Sequence, residues 1–108
     1  TDALQDVIDT PKVGNESQSI WAQYTLKTRA GQDREAIQVS LKEAGIPTMV
    51  YYPMPLHTQK AYDMFPTDPA GLPVSEALAK QVFSLPMHPY LDTESQDNII
   101  NALRAALD

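Results

Sequence analysis

The chain has 108 residues, 8 Lys and Arg against 14 Asp and Glu, a net charge of −6 and no Cys. That length suits one domain with one modest core, and the acidic balance excludes a nucleic-acid binder, whose phosphate contacts need a basic face. No apolar run approaches the roughly 20 residues of a membrane-spanning helix, and without Cys there is neither a disulfide framework nor a thiolate metal site.

Residues 1–18 read as the tail of a helix followed by a linker. Leu4, Val7 and Ile8 lie at helical spacing, Thr10-Pro11 ends the pattern, and a polar connector follows as far as Ser19. The start is acidic where a signal peptide is basic, so the expected location is cytoplasmic. It is also Thr rather than Met, so the chain reads as a piece of a longer protein. Leu4, Val7, Ile8 and Trp21 are then expected to face the part of that protein lying outside this chain.

The remainder, 19–108, reads as one domain. Ile20 to Thr28 alternates and is rich in aromatic and β-branched residues, which predicts a strand. Asp33 caps a predicted helix to about Ala44, with Ile37, Leu41 and Ala44 on one face and Gly45 as its left-handed stop. A second strand is predicted over Thr48 to Tyr51, then a stiff loop, Tyr52-Pro53-Met54-Pro55-Leu56-His57, and a short helix from Thr58 to Met64. Pro73 opens a helix to about Gln81 with Val74, Leu78 and Val82 on one stripe, and Val82 to Leu85 forms a third short strand. After a second proline-braced loop, Pro86 to Tyr90, Thr93 and Gln96 form a capping box. The helix it begins carries Ile99, Ile100, Leu103, Ala106 and Leu107 on its apolar stripe. The predicted class is α/β (α+β), a small mixed or antiparallel sheet with helices on one face.

The chemistry-bearing residues are few. His57 and His88 each follow a predicted strand in a stiff loop, so neighbouring strands bring both to the rim of one concavity. No spacing fixes them as paired ligands, and no metal site is expected. The isolated glycines form no phosphate cradle, and no serine sits in a nucleophile elbow. Tyr51 and Tyr52 end a strand with their phenols on opposite faces, one free to meet a ligand. A phenol both donates and accepts, which suits a sugar hydroxyl or a phosphate oxygen.

Four segments in order carry a resemblance: Ser19-Ile20-Trp21-Ala22-Gln23-Tyr24, Ala44-Gly45-Ile46-Pro47-Thr48, Tyr51-Tyr52-Pro53-Met54-Pro55-Leu56-His57 and Leu85-Pro86-Met87-His88-Pro89-Tyr90-Leu91. Together they make the chain similar to the C-terminal small domain of DegT/StrS-type sugar aminotransferases. That resemblance implies a pyridoxal-phosphate enzyme of aminotransferase fold type I. Its ping-pong reaction moves an amino group from a donor such as glutamate to a nucleotide-linked keto sugar, in amino-sugar or cell-surface glycan synthesis.

The resemblance also implies that Tyr51, Tyr52 and His57 bind substrate, with Leu85 to Pro89 forming a wall of the cleft and His88 a further substrate contact. It assigns the Schiff-base lysine, the acid opposite the pyridine nitrogen and the phosphate contacts to a large domain. None of Lys12, Lys27, Lys42, Lys60 and Lys80 lies in a segment like that lysine's motif, so no catalytic or cofactor-binding residue is expected in this chain. Lys60 is a surface residue or a phosphate contact. The piece is then inactive alone, needs the large domain of its own chain, and forms a homodimer when full-length. The alternative is a free-standing α/β module that binds a small metabolite or a protein, which a reading frame opening just before Thr1 would favour.

Overall fold

The computed structural model describes residues 1–108. Tyr24–Lys27 (β1) pairs antiparallel with Val82–Leu85 (β2), Tyr24 opposite Leu85 and Leu26 opposite Phe83. Strand alternation sends these four side chains into the core. Thr25 and Ser84 share the other face, where their hydroxyls meet at 2.8 Å.

The first strand is shorter than its composition predicts. Trp21 has φ 49°, and its N–H donates to Ser19 Oγ at 3.1 Å. A left-handed residue cannot continue an extended ladder, so pairing starts only at Tyr24. The strand expected over Thr48 to Tyr51 reduces to one antiparallel bridge, Met49 exchanging both backbone bonds with Ser84 at 3.1 and 2.7 Å. Pro47 has no amide to donate, and the backbone leaves the ladder after Met49.

Helix α1, Arg34–Glu43, begins as expected, Asp33 Oδ1 accepting from the amides of Glu35 and Ala36. It ends at Gly45 with φ 79°. Ile37 and Leu41 enter the core, whereas Ala44 is the exposed C-cap residue, past the last buried turn. Helix α2, Pro73–Gln81, buries Ala79 and leaves Val74 and Leu78 exposed, so the expected stripe is not its packing face.

Helix α3, Thr93–Leu107, is capped one residue earlier than the capping box suggests. Asp92 Oδ1 takes the Ser95 amide at 2.7 Å and Thr93 becomes the first helical residue. Ile99 and Leu103 pack into the same core as Ile37 and Leu41, so α1 and α3 cover one face of the antiparallel sheet as expected. The helix predicted over Thr58 to Met64 is instead a single 3-10 turn, Leu56–Thr58, followed by turns. A short segment with no buried residue has nothing to repay helix nucleation.

The N-terminal residues do not face outward. Leu4 (3% exposed) and Ile8 (0%) belong to the core, and Val7 and Trp21 pack against it. The helix tail expected here is a set of turns bridged to β1 at Asp9 and Lys27. Its carbonyls are held from several sides. Arg29 donates to Asp6 O at 2.6 Å and Gln5 O at 2.7 Å, and Gln32 donates to Val7 O at 2.8 Å. Arg104 grips both carboxylate oxygens of Asp6 at 2.9 and 2.8 Å. The apolar pattern was correct, but its partner is the core of this chain.

Those cations hold two carboxyls below the ordinary value of 3.8, Asp6 through its bond to Arg104 and Asp9 through its bonds to Lys27 and Arg29. A carboxyl depressed on folding adds stability above the unfolded value and loses it as pH falls through the folded one. The melting temperature is therefore expected to be flat from pH 7 to about pH 5 and to drop below about pH 4. Circular dichroism melts should show that acid limb flattened in the Asp6→Asn/Asp9→Asn variant. An equal limb in both proteins would remove these carboxyls from the account.

Candidate functional site

Where the chain leaves the sheet after Met49, the two prolines at 53 and 55 keep it extended, and it passes alongside α2. Between them lies a cleft of about 660 Å³, walled by Tyr51, Tyr52, Met54, Pro55, Leu56 and Gln59 on one side and by Ser75, Leu78 and Ala79 on the other. Thr25 and Val82, from the sheet face that carries no core, line it too.

Both tyrosines enter this cleft. The alternation expected of a strand does not reach them, and their rings meet edge to face, with centroids 6.0 Å apart. Tyr52 is 74% exposed and Tyr51 40%, so both phenols are open to a ligand. An apolar lining with a few hydroxyls and amides suits a ligand that stacks its rings and hydrogen-bonds at its edges. Tyr51 also lines a recess of about 180 Å³ with Leu85, Pro86 and Met87, so the first corner touches the start of the second.

Neither histidine lines this cleft, so the rim expected to hold both is not formed here. His57 turns its Nε2 to Glu76 Oε1 at 3.0 Å, across to α2. His88 is exposed, and its Nδ1 accepts the Tyr90 amide at 3.2 Å, which leaves the proton of a neutral ring on Nε2. No group of His and acids gathers with metal-binding geometry. Sequence reasoning missed Glu76, Ser75 and the Thr25–Ser84 hydroxyl pair. Their only signal was position, an acid in the first turn of a helix and polar residues alternating with core ones.

A larger opening, about 970 Å³, lies beside the N-terminal turns and holds Trp21, Asp9, Lys27 and Arg29. Asp9 there bonds Lys27 at 2.9 Å and Arg29 at 3.0 Å. It contains none of the four expected site residues, and its charges already serve the ion cluster that secures the N-terminal segment.

A two-stranded antiparallel sheet with helices on one face, and a half-open tyrosine cleft beside the other, defines a small α+β domain. The chain belongs to the DegT/DnrJ/EryC1/StrS aminotransferase family, whose model matches residues 1–104. It is 48% identical over 96 residues to the UDP-2-acetamido-2-deoxy-3-oxo-D-glucuronate aminotransferase of Pseudomonas aeruginosa, covering 89% of this chain and 25% of that protein. Among solved structures, a family aminotransferase from Brucella abortus superposes with a TM-score of 0.90 at 42% identity, over 98% of this chain and 28% of the other. DesV of S. venezuelae superposes with a TM-score of 0.88 at 28% identity, over 99% and 29%. The chain thus spans about a quarter of the length of the relatives it matches.

Pyridoxal phosphate, the family's cofactor, needs a lysine amine, donors for its phosphate and a partner for its ring nitrogen. No Lys, Arg, Asp or Glu lines the tyrosine cleft. Lys27 is paired to Asp9, and Lys12, Lys42, Lys60 and Lys80 are exposed elsewhere. The residues lining the cleft therefore do not fit the cofactor by themselves. No helix of the structure is long and apolar enough to cross a membrane.

Proposed function

We propose that this chain is the small C-terminal domain of an enzyme that transfers an amino group from an amino acid, glutamate in this reading, to the keto carbon of a nucleotide-linked sugar. The observation that carries it is the family match over residues 1–104, at 48% identity to an aminotransferase named for a UDP-linked keto sugar. In this reading Tyr51 and Tyr52 meet the substrate, their hydroxyls bonding sugar hydroxyls or diphosphate oxygens, while Leu56 and Leu78 shield the bound sugar from water. His57 follows them in the same loop, bonded to Glu76, and His88 offers its Nε2 proton from the neighbouring loop. The domain positions substrate, and positioning alone lowers a barrier by several kcal/mol.

With a net charge of −6 the domain is ill suited to neutralise a diphosphate. The cations for that task, the lysine and the rest of the cofactor's contacts come from a large domain outside these residues, in a cytoplasmic homodimer whose product feeds glycan assembly. The balance is simple: glutamate and keto sugar give 2-oxoglutarate and amino sugar. Full-length protein incubated with glutamate and a UDP-linked 3-keto sugar should release one 2-oxoglutarate per amino sugar formed, while this chain alone should release none. Full-length protein that releases no 2-oxoglutarate with any UDP- or dTDP-linked keto sugar would overturn the reading.

A further inference from the structure

We propose that His57 and Glu76 form a clasp that sets the width of the tyrosine cleft, and that both are positioning residues rather than substrate contacts. The inference rests on the reading of that cleft as the substrate site. Residues 50–71 leave the sheet after the Met49 bridge and return only at α2, and their remaining hydrogen bonds are local. Thr58 and Gln59 bond back to Pro55 and Leu56, Tyr62 to Gln59, and Gly71 to Asp68. The bond from His57 Nε2 to Glu76 Oε1, 3.0 Å long, is the one hydrogen bond that ties this stretch to another element.

Apolar packing adds little, since of this stretch only Val50 packs against the core. Helix α2 buries only Ala79, and its N-cap, Leu72, supplies no side-chain bond. Its C-terminal half is fixed, because Arg34 donates to Ala79 O at 2.6 Å. Its first turn has no such anchor apart from Glu76. The His57 side chain is only 17% exposed although the Glu76 side chain is 50% exposed, so the imidazole is held in place by its surroundings while the carboxylate reaches in to it. Glu76 does not line the cleft. It therefore acts on a ligand there only by holding the wall that carries Tyr51, Tyr52 and Leu56.

The test uses full-length protein, with glutamate and a UDP-linked 3-keto sugar as the probe, and hydrogen exchange of the Thr58 and Gln59 amides as a readout independent of activity. His57→Phe and Glu76→Ala should each raise KM for the sugar roughly threefold to tenfold, the worth of one hydrogen bond, with kcat held. The double variant should be no worse than either single one. His57→Gln, which keeps a donor near Nε2, and Glu76→Gln, which keeps an acceptor, should recover most of the loss. Exchange at Thr58 and Gln59 should quicken by a similar factor in Glu76→Ala, a half-exposed site where folding is not at stake. Unchanged exchange in Glu76→Ala overturns the clasp whatever the kinetics. Faster exchange with an unmoved KM upholds the clasp and overturns the assignment of substrate to the cleft. A loss confined to His57→Phe, with Glu76→Ala silent in both readouts, makes His57 a direct substrate contact and overturns its positioning role.

Discussion

Phe83→Ala should lower the unfolding free energy of the domain by about 3–5 kcal/mol, a large share of the 5–15 kcal/mol typical of a small domain. Phe83 is fully buried, lies opposite Leu26 in the ladder and stands at the centre of the single core cluster. Removing its ring leaves a cavity that two strands and two helices cannot collapse to fill. Ile8→Ala belongs in the same experiment. If the first residues were a linker, that change would shift stability by less than about 0.5 kcal/mol. Because Ile8 shares the core and Arg29 and Gln32 hold the carbonyls around it, about 2–5 kcal/mol is expected instead. Urea denaturation of both variants measures the difference, and a silent Ile8→Ala would detach the N-terminal segment from the folding unit.

Tyr51→Phe and Tyr52→Phe should each reduce kcat/KM of the full-length protein roughly tenfold to a hundredfold, the range for a hydrogen bond to a charged phosphate oxygen. Both rings line the cleft, neither is buried, and the phenyl ring of the variant keeps the edge-to-face contact between them. The hydroxyl is then the only thing lost, and the melting temperature should stay within about a degree of the parent. Tyr52, the more open of the two, should show the larger loss. If both variants retain more than half of the parent kcat/KM, the tyrosines are not the substrate's partners.

The elements that chain chemistry defines locally were legible in the sequence. Asp33 and Gly45 mark the ends of α1, Pro73 marks the start of α2, and the apolar stripe of α3 points at the core, each because a few neighbouring residues decide the matter. Errors arose where a distant partner decided. Leu4 and Ile8 show an apolar pattern, but no local rule says whether their partner lies in this chain. Val74 and Leu78 look like a buried stripe, yet α2 is fixed through Ala79 and Arg34 instead. The site shows the same division. The proline corners and tyrosines were visible as motifs, whereas the pairing of His57 with Glu76 depends on how α2 approaches the loop, which no spacing within either segment encodes.

The stretch between Lys60 and Gly71 has a bearing on how much change of length the domain tolerates. On one side it follows the Met49 bridge and the clasp, on the other it runs into the start of α2, and none of its residues belongs to the core. Doubling a flexible connection costs only about 0.6 kcal/mol of closure entropy. Insertions and deletions between Lys60 and Gly71 should therefore cost the fold little and leave strand register and helix seating as they are.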